Sequence, residues 1–285
     1  MGISIVTNLP SLLAQRNLSK TQDNLSNSIG RLSSGLRINR AADDAAGLGI
    51  SENLKADIRS IVQAKRNAND AISLTQVAEG AMNELQGMVV RMRELAMQSA
   101  NGTLGSTERG YIQTEFIQLQ AEINRISATT EFNGQLLMDG SASAGLTMQV
   151  GIHNSANDRL AMSITRLTTS TIGNSGVTGA MNIASASLST AAGAQAALDV
   201  FDTAIEQLSN SRSNLGALQN RIQITITNLS VAHENLSAAN SRIRDVDVAE
   251  ESGTLTKNQI LSQAGIAILG QANQLPSAAL SLIGG

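Results

Sequence analysis

Apolar residues recur at seven-residue intervals through the C-terminal half of the chain. Such spacing keeps one stripe of side chains facing a partner helix. The six consecutive positions of this row, which we call the rod seam, are Leu208, Leu215, Ile222, Leu229, Leu236 and Ile243. The pattern predicts one long helix over residues 204–246, which would measure about 65 Å at the α-helical rise.

Helical spacing also marks both ends of the chain. The apolar positions there are Leu18, Leu25 and Leu32 near the N-terminus and Leu261, Ile268 and Leu275 near the C-terminus. A longer stripe with spacings of three and four runs through residues 50–96, and a shorter one through 112–126. The only prolines, Pro10 and Pro276, lie near the ends. Long uninterrupted helices are therefore permitted between them.

Residues 139–195 have a different pattern, dominated by Ser, Thr, Gly and Ala. Apolar residues alternate over 146–152 and again over 160–164, which is the period of a half-buried strand. The residues between these runs are rich in turn formers. We therefore predict a β-hairpin there, followed over 168–195 by a loop or weakly ordered segment.

The order of these elements predicts a mostly α-helical fold. We expect a long antiparallel coiled-coil or helical-bundle rod with a small β-hairpin region, in which both termini are helical and paired. The expected terminal helices occupy residues 1–45 and 254–285. The helical rod would comprise 46–138 and 196–253, and the hairpin and loop 139–195.

Composition narrows the function classes. Aromatic residues make up 1% of the chain, so its apolar content suits helix–helix contacts better than a thick core. The net charge is −3 and the basic residues are dispersed, which argues against nucleic acid as a partner. No apolar run approaches the ~18 residues of a membrane span, and the N-terminus lacks a secretory leader pattern. We expect no membrane insertion.

No pattern of residues predicts enzyme chemistry, and we expect no catalytic, cofactor or metal site. Asp43 and Asp44 could suggest acid–base or metal chemistry, but carboxylates at this point are typical of a helix start. The two histidines, His153 and His233, have no spaced set of ligands, and cysteine is absent. Gly102, Gly105 and Gly110 are not part of a phosphate-binding loop, because no Gly-Lys-Ser/Thr sequence follows them.

Six segments, which lie in both terminal thirds and in the part of the chain just after the first third, carry a family resemblance. They are NLSKTQ (17–22), RLSSGLRIN (31–39), ADDAAG (42–47), RELAMQSAN (93–101), EFNG (131–134) and ILSQAG (260–265). In kind and in order they resemble bacterial flagellin, the subunit of the flagellar filament. The short middle region implies a two-domain type without large surface insertions.

The resemblance implies an architecture and a set of partners. The terminal helices would form the inner tube of an extracellular filament, and the rod its outer tube. The partners would be other copies of the chain in a helical homopolymer, the flagellar export apparatus, an export chaperone at the C-terminus, and cap and junction proteins. Secretion would proceed through the flagellar export channel.

Physical chemistry supports self-assembly independently. One or two helices cannot fully bury the terminal Leu and Ile stripes, whereas many copies that share them can. Contacts between unlike patches that do not close give an open helical filament. We expect the inner-tube contacts to involve the six terminal positions Leu18, Leu25, Leu32, Leu261, Ile268 and Leu275.

The segment 89–101 suggests a further contact. By resemblance to flagellins that are recognised by Toll-like receptor five, Arg91, Leu95 and Glu115 would touch this host receptor and become buried in the filament. Arg91 and Leu95 lie four residues apart, so we expect them on one helix face.

Two other classes stay open on the sequence alone. A hook–filament junction protein shares the terminal design, but such proteins typically carry a proline after the acidic pair, where this chain has Ala45. A secreted adhesin or enzyme on a flagellin frame is the third class. The metalloprotease motif His-Glu-x-x-His does not occur, which disfavours that class.

Overall fold

The computed structural model describes residues 7–174 and 181–283. The main elements of this described part are five α-helices and two strand pairs. In chain order they are α1 (Leu9–Ser34), α2 (Ala45–Ala100), α3 (Ser106–Thr129), β1 (Glu131–Phe132), β2 (Gln135–Leu136), β3 (Leu146–Gln149), β4 (Arg159–Met162), α4 (Ala191–Arg244) and α5 (Val248–Ile283). The predicted mostly helical class with long helices is confirmed. No helix in the described part is long and apolar enough to cross a bilayer.

Short polar side chains define where the helices begin. The Asn8 side chain accepts a hydrogen bond from Ser11 N at 3.1 Å at the start of α1. The Asp44 carboxylate accepts from Gly47 N at 2.8 Å, and Asp247 accepts from Ala249 N at 2.9 Å. These acceptors satisfy backbone N–H groups that have no partner within the helix. The helix-start interpretation is thereby confirmed for Asp44, whereas Asp43 accepts from backbone N–H groups of the linker that precedes α2.

The chain forms two compact units, the first of which contains residues 1–58 and 234–285. Its helices α1 and α5 are antiparallel, because Asn8 Nδ2 donates to Ala272 O at 2.9 Å and Arg31 lies 3.6 Å from Glu251 at the opposite end. The paired terminal helices are therefore present as expected. The backbone of Leu275 lies in α5, but its side chain is outside the described residues.

The second unit contains residues 59–233. Its parts of α2, α3 and α4 form a bundle, in which Arg93 of α2 is 2.6 Å from Asp202 of α4. All the large apolar positions of the α2 stripe between Ile61 and Met92 are buried. Phe116 and Phe201 meet edge-on across α3 and α4 with ring centroids 5.8 Å apart. Among the residues whose burial is described, most of the buried apolar side chains lie in this unit.

The rod seam lies on one helix, but its burial is graded. The first three positions, Leu208, Leu215 and Ile222, are buried. The last three, Leu229, Leu236 and Ile243, are half-buried. Heptad spacing fixes which positions share a face, whereas the depth of burial depends on how many neighbouring elements cover that face.

The predicted β-hairpin is present. Strands β3 and β4 pair antiparallel, with Leu146 opposite Met162 and Met148 opposite Leu160. A second, shorter hairpin formed by β1 and β2 was not predicted. Its turn is Asn133-Gly134, with φ of 52° and 76°, which is the strongest short-range hairpin signal in a sequence.

The Ser/Thr/Gly-rich segment is more closely packed than the predicted loop. Ile172, Ile183 and Leu188 are each at most 1% exposed. Polar side chains of the helices anchor its backbone: Leu188 N donates to Gln113 Oε1 at 2.6 Å. The predicted loop is therefore present in the described residues up to 190, but it is closely packed rather than weakly ordered, because sparse apolar side chains without periodicity fill gaps over the helical bundle. Residues 191–195 instead begin α4, and residues 175–180 of the predicted segment lie outside the described residues.

Candidate assembly surface on the terminal helices

The α1–α5 pair carries many large aliphatic side chains on its surface. Eight of them are 43–61% exposed: Leu9, Leu12, Leu13 and Ile29 on α1 and Ile260, Leu261, Ile266 and Ile268 on α5. Isolated apolar residues on a surface are ordinary, but a contiguous exposed group marks an interaction site. The pair therefore leaves at least eight large aliphatic side chains largely exposed within the described residues.

Small and polar residues hold the two helices together. Ser28 of α1 and Asn258 and Ala272 of α5 are buried, with at most 6% exposure. Ser11 Oγ lies 2.7 Å from Asn273 Oδ1. Because the contact between α1 and α5 uses few large apolar side chains, most of the Leu and Ile side chains remain available to other partners.

The predicted assembly residues lie on these two helices, but their side chains differ in how far they are exposed. Leu18, Leu25 and Leu32 are half-buried. Leu261 and Ile268 are 46% and 58% exposed. The single heptad row missed more exposed neighbours such as Leu12 and Ile260. These residues lie outside the heptad rows, which mark only one line of side chains along each helix, so that spacing alone did not select them.

A clasp between two linkers joins the inner ends of the helices. We use this name for residues 35–37, which follow α1, together with 244–246, which precede α5. Arg37 N donates to Arg244 O at 2.7 Å, and Val246 N donates to Gly35 O at 3.1 Å. Arg37 Nη2 also donates to Ile243 O at 2.6 Å. These bonds tie the start of α5 to the end of α1.

Asp43 supports the linker beside the clasp. Its Oδ2 accepts hydrogen bonds from Arg40 N at 2.9 Å and Asn39 N at 3.1 Å. These two backbone bonds lower the pKa of the Asp43 carboxyl below its ordinary value, and the nearby charge of Arg31 contributes further. The role of this carboxylate is therefore to organise the turn, and the ionised form is the one that does so.

The proposed receptor-contact residues separate into two groups. Arg91 Nε lies 2.9 Å from Glu115 Oε1, and Arg91 Nη1 lies 3.0 Å from Glu94 Oε2, all on exposed side chains. The hydrogen bond that Arg91 donates to Glu115 is the largest cause that raises the pKa of Arg91. Arg91 and Glu115, which the resemblance selected separately and which lie 24 residues apart in the sequence, are therefore in direct contact in the structure.

Leu95 does not belong to that exposed group. It is 1% exposed and lies in the core of the second unit. A step of four residues along an α-helix turns the side chain about 40° past a full turn, so Leu95 points in a different direction from Arg91. Leu95 lies three residues after the buried Met92 and belongs to the same apolar stripe. The expectation that Leu95 offers an apolar contact on the surface is therefore wrong for the isolated chain.

Metal-ligand chemistry finds no support in the described residues. Within residues 7–174 and 181–283, no group of three or more His, Asp or Glu side chains comes close enough to hold a metal ion. His153 lies in the turn between β3 and β4, and His233 lies on α4. The chemistry that the surface supports is apolar association, with ion pairs at its margins.

Comparison with known proteins gives consistent similarities. Residues 5–143 match the family model of the bacterial flagellin N-terminal helical region, and residues 198–283 match that of the C-terminal helical region. The chain is 44% identical over 276 residues to a flagellin of Halalkalibacterium halodurans, with 97% of this chain and 98% of that one covered. It is 41% identical over 285 residues to a flagellar filament 33 kDa core protein of Treponema phagedenis, with 97% and 98% covered.

A solved structure is also similar. The crystal structure of Bacillus cereus flagellin matches with a TM-score of 0.48 and 28% identity, over 61% of this chain and 94% of that one.

Proposed function

This chain belongs to the bacterial flagellin family, and from that premise we propose that its α1–α5 pair is the surface through which copies of the chain join. The chain is a structural subunit of the flagellar filament, an extracellular homopolymer. The hook–filament junction alternative is not favoured by its relatives. Flagellins are structural proteins, which is consistent with the expected lack of enzyme activity.

The exposed aliphatic residues of the terminal helices carry this proposal. Each Leu or Ile that becomes fully buried contributes roughly 1.5–3 kcal/mol, so several such contacts per subunit offset the cost of ordering the subunit. In this arrangement residues 1–45 and 254–285 form the inner tube. Residues 46–138 and 196–253 form the outer tube, with 139–195 as its hairpin and loop region.

Truncation tests the proposal. Removal of residues 1–40 or of residues 260–285 should leave a monomer that stays helical but does not form filaments when seeds or a precipitant are added. Electron microscopy would show filaments for the parent chain only, while circular dichroism would confirm that the second unit remains folded. Normal filaments from either truncated chain would contradict the assignment of the α1–α5 pair.

We also propose that the chain reaches the cell exterior through the flagellar export channel. The export apparatus, an export chaperone at the C-terminus, and cap and junction proteins would be its partners there. The support is physical, because a helix pair that buries few large apolar side chains opens at low cost, and an opened segment fits a narrow channel. If the proposal holds, deletion of residues 260–285 should abolish binding of the monomer to the export chaperone. Undiminished binding would contradict the assigned docking end.

A receptor role is a second proposal, now limited to Arg91 and Glu115. Their exposed ion pair presents a planar guanidinium and a carboxylate together on the surface. With a Toll-like receptor five reporter, Arg91→Ala monomer should signal less than the parent. Arg125→Ala is a matched control, because Arg125 is also exposed and paired, with Glu122 of its own helix. Equal signalling by both variants would show that the receptor contacts another surface.

A further inference from the structure

A groove of about 190 Å³ runs between α1 and α5. On α1 its lining extends from Ala14 to Thr21 at positions i, i+3, i+4 and i+7, and on α5 it extends from Leu261 to Ile268 with the same spacing. Four residues with this spacing on one helix form the hole that receives a side chain in knobs-into-holes packing. Each of the two helices contributes one such set to the same groove.

Small residues keep the groove open and the helices close. A Cβ atom at Gly265 would lie 3.2 Å from Leu18 Cδ1, so glycine permits the close approach of α1. Ala14 and Ala264 leave the space beside that contact unfilled. The hydroxyl of Thr21 already donates to Asn17 O at 2.9 Å. The lining therefore offers mostly hydrocarbon to whatever enters.

We propose that this groove is a socket for one aliphatic side chain of a neighbouring copy of the chain. The inference rests on the proposed role of the α1–α5 pair in assembly. An apolar cavity of about 150 Å³ holds a benzene molecule, so this groove has room for one Leu or Ile. A charged side chain would lose its hydration there without a partner. Copies of the chain are present in the homopolymer, and exposed aliphatic residues are abundant on the same helices.

Filling the socket tests the inference. Ala264 lines the groove and is exposed, whereas Ala267 is an equally exposed alanine on the same helix that does not line it. Ala264→Leu should raise the critical concentration for polymerisation by about tenfold or more, because one buried aliphatic contact per subunit is lost. Ala267→Leu should change it by less than about threefold, which is a shift well below that contact. Equal critical concentrations for the two variants would overturn the socket.

Disulfide trapping identifies the occupant. The chain has no cysteine, so a bridge can form only between introduced thiols whose Cα atoms lie within about 7 Å. Filaments would be grown from mixtures of A264C subunits with subunits that carry a cysteine at one of the six exposed aliphatic positions outside the groove, L9C, L12C, L13C, I29C, I260C or I266C. Oxidation should give a mixed dimer with one of the six, in filaments and not in monomers.

Failure of the socket and failure of the assembly surface give different results. Absence of a mixed dimer with any of the six, in filaments that otherwise form, would overturn the socket and show that another protein or no side chain occupies the groove. The truncation experiment would still decide whether the α1–α5 pair assembles. Filaments from truncated chains would overturn both proposals together.

Discussion

At the scale of single residues, the carboxylate of Asp43 is held by two backbone N–H groups. They lower its pKa below the ordinary value of 3.8, so folding favours the ionised form. The stabilisation is therefore fully present above about pH 4 and is lost as the pH falls through the folded-state pKa. A carboxyl titration by NMR should place Asp43 below 3.8.

The variant Asp43→Asn provides the control for this prediction. It keeps an oxygen acceptor but removes the charge that the backbone groups favour. The variant should lower the melting temperature at neutral pH and have a smaller effect at acid pH. A titration midpoint at or above 3.8 would mean that the linker does not depend on this carboxylate.

Leu95 and Arg91 are close in sequence but should respond differently to substitution. Leu95 is buried in the second unit, so Leu95→Ala should lower the free energy of unfolding of the monomer by about 2–5 kcal/mol. Arg91→Ala removes an exposed ion pair and should have a much smaller effect on the free energy of unfolding. Denaturant unfolding of both variants measures the difference. Equal stabilities would contradict the placement of Leu95 in the core.

These residues show what motif matching can and cannot supply. The motif identified Arg91 and Glu115 as one group, and their side chains do meet. The motif could not show that Leu95 is buried while Arg91 is exposed. Two residues four positions apart on a helix can lie on opposite sides of the edge of an apolar stripe. Exposure depends on where α3 and α4 cover α2, and that information is distributed over the whole bundle.

At the scale of elements, the rod seam should contribute unequally to stability along α4. Ile222 is fully buried, whereas Leu229 is half-buried. Ile222→Ala should therefore cost about 2–5 kcal/mol of unfolding free energy, and Leu229→Ala less than half as much, because the cost follows the burial that is lost. Monomer melting curves compare the two. A larger effect at Leu229 would show that the seam is buried most deeply further along the helix.

Periodicity predicted the elements well wherever one face is continuously covered. The helices at both ends, the long α2 and α4, and the β3–β4 hairpin all follow from spacing. The β1–β2 hairpin is only two residues per strand, too short for alternation to appear, although its Asn-Gly turn was visible. The packed segment around Ile183 has no period at all. Its position is set by single contacts such as Gln120 to the Ile183 carbonyl.

At the scale of the whole molecule, the two units differ in how they satisfy their apolar residues. The second unit buries its stripes within one chain, with Met82, Leu85 and Val89 at most 1% exposed. The α1–α5 pair of the first unit leaves Leu and Ile side chains on its surface. The sequence predicted this incomplete burial, but a single chain does not contain the neighbour that would complete it.

We propose that these exposed side chains drive filament formation. Ile260 and Ile266 are 61% and 57% exposed on α5, and neither lines the groove between α1 and α5. The double variant Ile260→Ser/Ile266→Ser removes their apolar surface. Ile260→Leu/Ile266→Leu retains that surface and serves as the control.

The decisive measurement is seeded polymerisation of both double variants, followed by sedimentation and electron microscopy. The serine variant should stay monomeric at concentrations where the parent and the leucine variant form filaments, because it forgoes roughly 1.5–3 kcal/mol for each residue that would have been buried. Circular dichroism of its monomer should match the parent. Normal filaments from the serine variant, at the parental critical concentration, would contradict the account.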